Sequence, residues 1–400
     1  MPSLTGRVLD PEGAGGFNRR NSREGVGLIT MLRIAIVNPY ATAHGYSGPN
    51  VLMDRLFSSV SEACSLTLVC GDPSAGQGRD WLAGVQVPAT FDKASGYSQL
   101  KWLFAACFWT LRNSSKFDVL HVHGCYLFNL ISVLPRAVLG RPFVILPLAG
   151  SGDLAVGARS SRFYLARVLR RFVVSRARGG LSLAPSISKE LLHWGMDPSR
   201  VHPIGNIADS SCFESEPSWV SQQILFVGSL CTRKRPILIL EALAKIRDRG
   251  HDASALFIGP FSDSSLKRDF DNAVSELGLA QFVTTLGYQV DVAAVSSEST
   301  LFVLPSSQEG LPGALVEAMA MGLPAVVTDV GAMGEVVSDA GCGTVIAPAP
   351  DKLADAVAEL LGSEGRWLEM SRRARSYAEA NFSSKAVASS YQKIVEEACS

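Results

Sequence analysis

Two glutamates eight positions apart, Glu309 and Glu317, bracket the passage of this 400-residue chain best suited to chemistry. The run Leu301–Pro305 reads as a buried strand, and a Gly/Pro loop follows it. A helix is expected to begin near Pro312, a residue suited to a first helical turn because its missing N–H costs nothing there. Gly310 and Gly313, with Leu311 and Pro312 between them, let a ligand come close to the backbone. The first-turn N–H groups of the helix then face outward with a partial positive charge. The combination is an anion site at the carboxyl end of a parallel strand, where open α/β sheets bind ligands. Glu309 stands before the helix and Glu317 about one and a half turns inside it. One carboxylate can therefore face a reacting group while the other grips a neighbouring diol.

Further clusters carry charge or protons. The strand-like Ile224–Val227 runs into Gly228 and Ser229, then into Arg233, Lys234 and Arg235 ahead of a helix opened by Pro236. Fixed cations at such a place stabilise negative charge that builds on a departing phosphate. In Phe117–Gly124, strand alternation points His121 and His123 the same way and Val122 the other. This pair could approach a ligand, hold a metal or be satisfied in the core, although no third ligand is spaced to complete a metal site. The loop His44–Asn50, with Gly45 and Gly48, leads into a helix of apolar period. Asp269 and Asp271 spell D-x-D in a charge-rich helical segment; residues two apart do not share a helix face, so they read as solvated.

These groups need a frame, and the chain alternates strand-like and helix-length segments from Met31 onward. Strands are predicted at 32–38, 66–70, 119–123, 143–147 and 180–184, then at 223–227, 255–258, 283–286, 300–304, 325–328 and 343–346. Between them lie helical patterns, among them 49–62, 159–176, 236–249, 266–277, 312–321 and 351–361. Nearly continuous apolar strands alternating with helices indicate α/β architecture with two doubly wound domains. The predicted organisation is residues 31–206 and 207–375, with a polar linker opening the second, and a terminal helix over 376–400 that packs back across it. Residues 1–30 are rich in Gly, Arg and Ser without the apolar core of a signal peptide. They read as a disordered extension, or translation starts at Met31.

Composition narrows the class. Hydrophobic residues make up 47% and charged residues 18%, which excludes a disordered or collagen-like chain. Mean hydropathy is high at +0.19, yet the longest charge-free apolar stretch, 119–135, falls short of the roughly 20 residues a spanning helix needs. Eight scattered cysteines without a C-x-x-C pair suggest reduced thiols in a cytoplasmic protein. The zero net charge conceals two halves: residues 31–205 hold 18 Lys and Arg against 9 Asp and Glu, and residues 206–400 hold 15 against 25. Within the basic half, 159–178 contains seven arginines, Arg162, Arg170 and Arg171 among them, and no acid. Interleaved with apolar residues, they are expected to touch an anionic membrane surface. No nucleic-acid-binding motif accompanies the charge, so nucleic acid is not an expected partner.

The 309–317 passage, joined to Pro324 and Thr328-Asp329-Val330-Gly331, resembles the E-x7-E signature of the retaining nucleotide-sugar glycosyltransferases of glycosyltransferase family 4. The resemblance runs from residue 31 to about 395. It implies the GT-B fold, in which two Rossmann-like domains face each other across a cleft and a C-terminal helix returns toward the N-terminal domain. It also implies that Glu309 contacts the transferred sugar and that Glu317 binds the ribose hydroxyls of the nucleotide. Lys234 matches the family lysine, whereas Ser229 stands where an arginine follows the first glycine, Gly228, and Arg235 stands where a glycine follows the lysine. Arg233 is assigned as the replacement cation. His123, and His121 after it, match the histidines near the sugar. Gly48 lies in the loop that faces donor and acceptor, and Leu286–Val290 in the one that contacts the base, with Val290 at its end. Ser186–Trp194 resembles a further family segment, while Ile204–Ala208 replaces the usual P-N-G-V-D.

The implied reaction moves a hexose from a UDP-, GDP- or ADP-linked sugar to a glycan or lipid-linked acceptor in polysaccharide or glycoconjugate synthesis. The resemblance implies no cofactor besides the nucleotide sugar and no metal, while the thiols and the arginine-rich stretch point to a cytoplasmic location, peripheral on the inner face of the cytoplasmic membrane. Two other readings stay open: a GT-B nucleotide-sugar epimerase, and a catalytically silent nucleotide- or glycan-binding scaffold suggested by Ser229 and the altered 204–208 segment.

Overall fold

The computed structural model describes residues 31–43, 48–92, 95–148 and 164–400. The expected extension over 1–30, His44–Ser47 of the glycine loop, and Arg159 and Arg162 of the arginine-rich stretch lie outside the described residues.

Apolar runs without polar alternation form strands covered on both faces, and here they build two parallel sheets. The first contains β1 (Leu32–Val37), β2 (Cys64–Val69), β3 (Gly84–Gln86), β4 (Val119–His123), β5 (Phe143–Leu146), β6 (Gly179–Ser182) and β7 (Val201–Pro203), in the order 3-2-1-4-5-6-7. The second contains β8 (Gln223–Val227), β9 (Ser254–Ile258), β10 (Val283–Gly287), β11 (Ser299–Leu304), β12 (Ala325–Thr328) and β13 (Gly343–Ile346), in the order 10-9-8-11-12-13. Strand order reverses beside β1 in one sheet and beside β8 in the other, and the carboxyl ends of strands at such a point are where these sheets bind ligands. This is the doubly wound pair that the alternation predicts. The short edge strands β3 and β7 and the helix Gly96–Arg112 are additions. Three residues show no period, and the helix's outer face is too apolar to display a polar stripe.

In the first domain a buried cation fastens the layers. Arg136, in the helix Leu134–Leu139, donates through Nη2 to the carbonyls of Ser114 at 2.7 Å and Phe117 at 2.6 Å. Its Nη1 donates to Pro142 O at 2.6 Å and Asp118 O at 3.4 Å. One guanidinium thus joins the segments that lead into β4 and β5. Burial pulls its pKa down to about 10, which leaves it charged at neutral pH.

The helical tail is two helices, Glu364–Phe382 and Ser384–Cys399, parted at Ser383, whose hydroxyl caps the second by accepting from Ala386 N at 3.3 Å. The second helix packs on the helix Gly48–Val60 and on β4–β6 of the first sheet. Its Tyr391 hydroxyl lies 3.1 Å from His121 Nδ1 inside that core. The return to the N-terminal domain is as expected. The chain therefore crosses between domains twice, at Ile204–Ala208 and at Phe382–Ser383. The crossings adjoin: Ala208 N donates to Phe382 O at 3.0 Å, and a Cβ on Gly205 would lie 2.5 Å from Asn381 O. No helix among the described residues is long and apolar enough to cross a membrane.

Candidate active site

The carboxyl ends of β8, β9 and β10 and the segment after β11 face the start of the helix Gly48–Val60 across a cavity of about 600 Å³. That volume suits a small-molecule ligand.

One end of the cavity is basic. Arg233 Nη1 lies 2.6 Å from Glu309 Oε1, Lys234 Nζ lies 4.0 Å from the same oxygen, and Ser306 Oγ donates to it at 3.0 Å. Lys234 is buried at the end of β8, with Nζ 3.5 Å from Val227 O. Burial pulls its ammonium below the usual lysine range; Glu309 opposes that shift and Arg233 adds to it. Gly228 has φ +134°, and a Cβ there would stand 2.0 Å from Lys234 Nζ, so the glycine makes room for the lysine. Arg235 has φ +51°, the left-handed conformation a glycine adopts freely and other residues take at a cost of about 1–2 kcal/mol. Its Nη1 donates to Pro305 O at 3.2 Å and Ser306 O at 3.4 Å. These bonds tie the loop after β8 to the end of β11 and offset the strain.

At the other end stands Glu317, in the helix Gly313–Ala320. The helix begins one residue later than expected: Pro312 is extended, at φ −70° and ψ 132°, and its carbonyl accepts from Leu315 N at 3.1 Å. Glu317 Oε1 takes a 2.6 Å ion pair from Arg55 Nη1. The same guanidinium donates to Ile207 O at 2.9 Å and lies 3.2 Å from Asp209 Oδ2. Burial pushes the Glu317 carboxyl above its usual range, and Arg55 opposes the rise. Because Arg55 belongs to the first domain, this pair spans the cleft. Sequence reasoning missed Arg55; its only signal, a cation at the edge of an apolar stripe, is shared with any solvated helix.

An Arg55→Met variant is expected to let the Glu317 carboxyl rise further. Only the ionised form accepts strongly from a hydroxyl pair, so if Glu317 takes the ribose hydroxyls, as the resemblance implies, the variant's nucleotide affinity should fall as pH drops. The decline approaches about tenfold per pH unit below the raised pKa. Wild-type affinity should stay flatter over the same range. Titrating nucleotide binding from mildly alkaline to mildly acidic pH checks this, and parallel profiles would refute it.

The structure brings Glu309, Glu317, Arg233, Lys234, Gly228, Ser229, Gly48, Pro312 and Gly313 to the lining of one cavity. Other expected residues lie elsewhere. His123 is fully buried behind Pro49, with Nε2 2.9 Å from the Pro49 carbonyl. Burial pushes its pKa down to about 4, so the imidazole is neutral and holds the turn that forms the wall. Leu311 is buried and lines a second cavity of about 530 Å³ beside Ser182 and Tyr377. The Gly310 carbonyl accepts from Ala332 N at 2.9 Å, a bond that supports the loop from behind. Val290 is exposed and lines a recess on the far side of Arg55, with Asp209 and Asp291. Arg170 lies with its guanidinium 5.0 Å from the Trp194 ring centroid, and Arg171 is exposed; both are outside the cavity wall. Asp269 and Asp271 occupy the helix Ser264–Glu276, where Asp271 pairs with Lys267 at 2.6 Å on an exposed face. Among the described residues no three His, Cys, Asp or Glu side chains gather as a metal site.

Known families match both halves. The family described as Glycosyl transferase 4-like domain matches residues 47–206, and the one described as Glycosyl transferases group 1 matches residues 218–381. The chain belongs to glycosyltransferase family 4. This family 4 chain is 28% identical over 287 residues to the D-inositol 3-phosphate glycosyltransferase of Gordonia bronchialis, covering 66% of this chain and 62% of that protein. It is 24% identical over 232 residues to the GDP-mannose:cellobiosyl-diphosphopolyprenol alpha-mannosyltransferase of Xanthomonas campestris, covering 57% and 60%. Each match thus spans less than two thirds of the relative's length. Anabaena HepE, solved in complex with UDP, superposes with a TM-score of 0.71 over 92% of this chain and 100% of that one. At 14% identity the likeness is one of fold, and it is the GT-B fold of two Rossmann-like domains about a cleft.

Proposed function

We propose that this family 4 protein transfers a sugar from a nucleotide diphosphate sugar to a glycan or lipid-linked acceptor with retention of anomeric configuration. One observation carries the reading: two glutamates end the same cavity, and Arg233 and Lys234 stand beside the first. The cations and the helix-tip amides at Gly313 and Ala314 hold the diphosphate, Glu317 takes the ribose hydroxyls, and Glu309 faces the sugar. The bond from the anomeric carbon to the phosphate oxygen breaks, and its electron pair passes to that oxygen, where Arg233 and Lys234 meet the charge. The acceptor hydroxyl bonds to the anomeric carbon on the face the phosphate leaves, and its proton passes to the leaving phosphate. Glu309, engaged by Arg233 and Ser306, supplies field rather than a covalent bond. Since side chains meet the phosphate charge, the reading calls for no metal and no other cofactor.

UDP, GDP and ADP all satisfy this site chemistry. The diphosphopolyprenol in the name of the Xanthomonas relative supports a lipid-linked acceptor. The reading places the protein in the cytoplasm, peripheral on the inner face of the membrane, with Arg170 and Arg171 on the membrane side. The test is Glu317→Ala, expected to weaken nucleotide binding by about 1.5–3 kcal/mol, the value of charge-assisted hydrogen bonds. Calorimetry with UDP, GDP and ADP measures it. Unchanged affinity for whichever nucleotide binds would remove Glu317 from the donor site.

A further inference from the structure

The helices over one face of the first sheet, Gly96–Arg112, Leu127–Ser132, Leu134–Leu139 and Tyr164–Arg176, contain no Asp or Glu. They form one layer: the first and the last both pack against the two short helices between them. The helix Gly96–Arg112 buries Trp102, Ala106 and Thr110 inward. Outward it presents Tyr97, Leu100, Phe104, Phe108 and Leu111, each between 52% and 79% exposed. Spacings of three and four put these five on one stripe. A stripe of this size exposed to water marks an interaction surface rather than scattered apolar residues. Val138 and Leu139 extend it on the next helix, and Leu165 and Val168 on the last. Among the described residues the exposed charges on these helices are Lys101, Arg112, Arg167, Arg171 and Arg176; Lys116 and Arg141 lie beside them, and one exposed acid, Asp92, precedes the first helix, where its backbone N–H donates to Ser98 Oγ at 2.8 Å.

We propose that this layer is a membrane-docking face: the Tyr97–Leu111 stripe inserts at the headgroup boundary of an anionic bilayer while the surrounding cations meet its phosphates. An apolar stripe edged by Lys and Arg, with no acid on its element, is the pattern of a helix lying in the plane of the interface. A second copy fits poorly, because a twofold contact would set the same cations against each other. The helix follows β3 and so begins at the carboxyl edge of the sheet, where the catalytic cavity opens. Its Tyr97 end therefore brings the cleft toward the lipid surface. The proposal deepens the peripheral location given above by moving the principal contact from the arginine-rich helix to an aromatic one. It rests on exposure and charge alone, so it stands or falls apart from the transfer reaction.

The test is flotation of the full-length protein with vesicles of phosphatidylcholine alone or mixed with phosphatidylglycerol. Wild type is expected to bind the anionic vesicles and to keep part of that binding at high salt. The Phe104→Ser/Phe108→Ser double variant should lose affinity by at least about tenfold, since both rings leave the bilayer. The Lys101→Gln/Arg112→Gln variant should lose it several-fold at low salt and little at high salt. Absence of binding to anionic vesicles, or equal binding by the Phe104→Ser/Phe108→Ser variant, would overturn the proposal. So would a lipid-free dimer that this double substitution abolishes. Thermal shifts with UDP, GDP and ADP on the same preparations report the nucleotide site separately. Vesicle binding without any nucleotide response would sink the transfer reading and leave the docking face standing; a nucleotide response without vesicle binding would do the reverse.

Discussion

Glu309→Gln is expected to lower kcat by roughly two to three orders of magnitude, the loss typical of removing one group that stabilises transition-state charge. The carboxylate is locked by Arg233 at 2.6 Å and Ser306 at 3.0 Å, so it cannot turn away from the cavity. In the proposed transfer, departure of the sugar would leave positive charge on its ring, and a fixed anion beside that ring would stabilise it. Glutamine keeps the shape and loses the charge. It also releases Arg233 and Lys234 from their counter-ion, so the diphosphate should bind as tightly as before or more so. A fall in kcat with donor affinity held or improved separates this role from one in binding. Initial rates with calorimetry on the same variant decide it, and a kcat within a few-fold of wild type would contradict the assignment.

Arg136→Ala should cost about 3–5 kcal/mol of stability, because several buried carbonyls lose their donor at about 1–3 kcal/mol each. The acceptors it leaves are backbone carbonyls in the interior, at Ser114, Phe117 and Pro142, and each unsatisfied group is costly. Arg136→Lys should recover only part of the loss, because a single ammonium cannot reach carbonyls that the guanidinium fork meets on separate sides. Urea unfolding monitored by intrinsic fluorescence measures both variants. Equal midpoints for wild type and Arg136→Ala would show that the network does not stabilise the fold.

Features written in residue type and spacing were legible before any coordinates. Strands covered on both faces are nearly continuous apolar runs, so eleven of them could be read directly; β3 and β7, three residues each at the sheet edges, carry too little sequence to stand out. The Glu309–Glu317 spacing and the glycines near it marked one wall of the cavity, because a helix tip at a strand end is a local arrangement. What crosses between domains was not legible. Arg55 reaches Glu317 across 262 positions of chain, and no local pattern announces such a pair. The histidines illustrate depth: strand alternation put His121 and His123 on one side, but only the packing of Tyr391 and Pro49 over them shows that this side is interior. Arg235 shows the reverse case. It departs from the family's glycine, yet it takes the left-handed conformation that position requires and adds bonds a glycine could not make.

The paired crossings at Ile204–Ala208 and Phe382–Ser383 limit how the halves can travel. A single tether would allow swivelling in every direction, whereas two parallel tethers stitched by the Ala208–Phe382 bond act like the two pins of a door. Swinging about their common axis is cheap; sideways sliding or corkscrew rotation would have to tear that stitch. Any swing about that axis would return Arg55 to Glu317 in the same alignment.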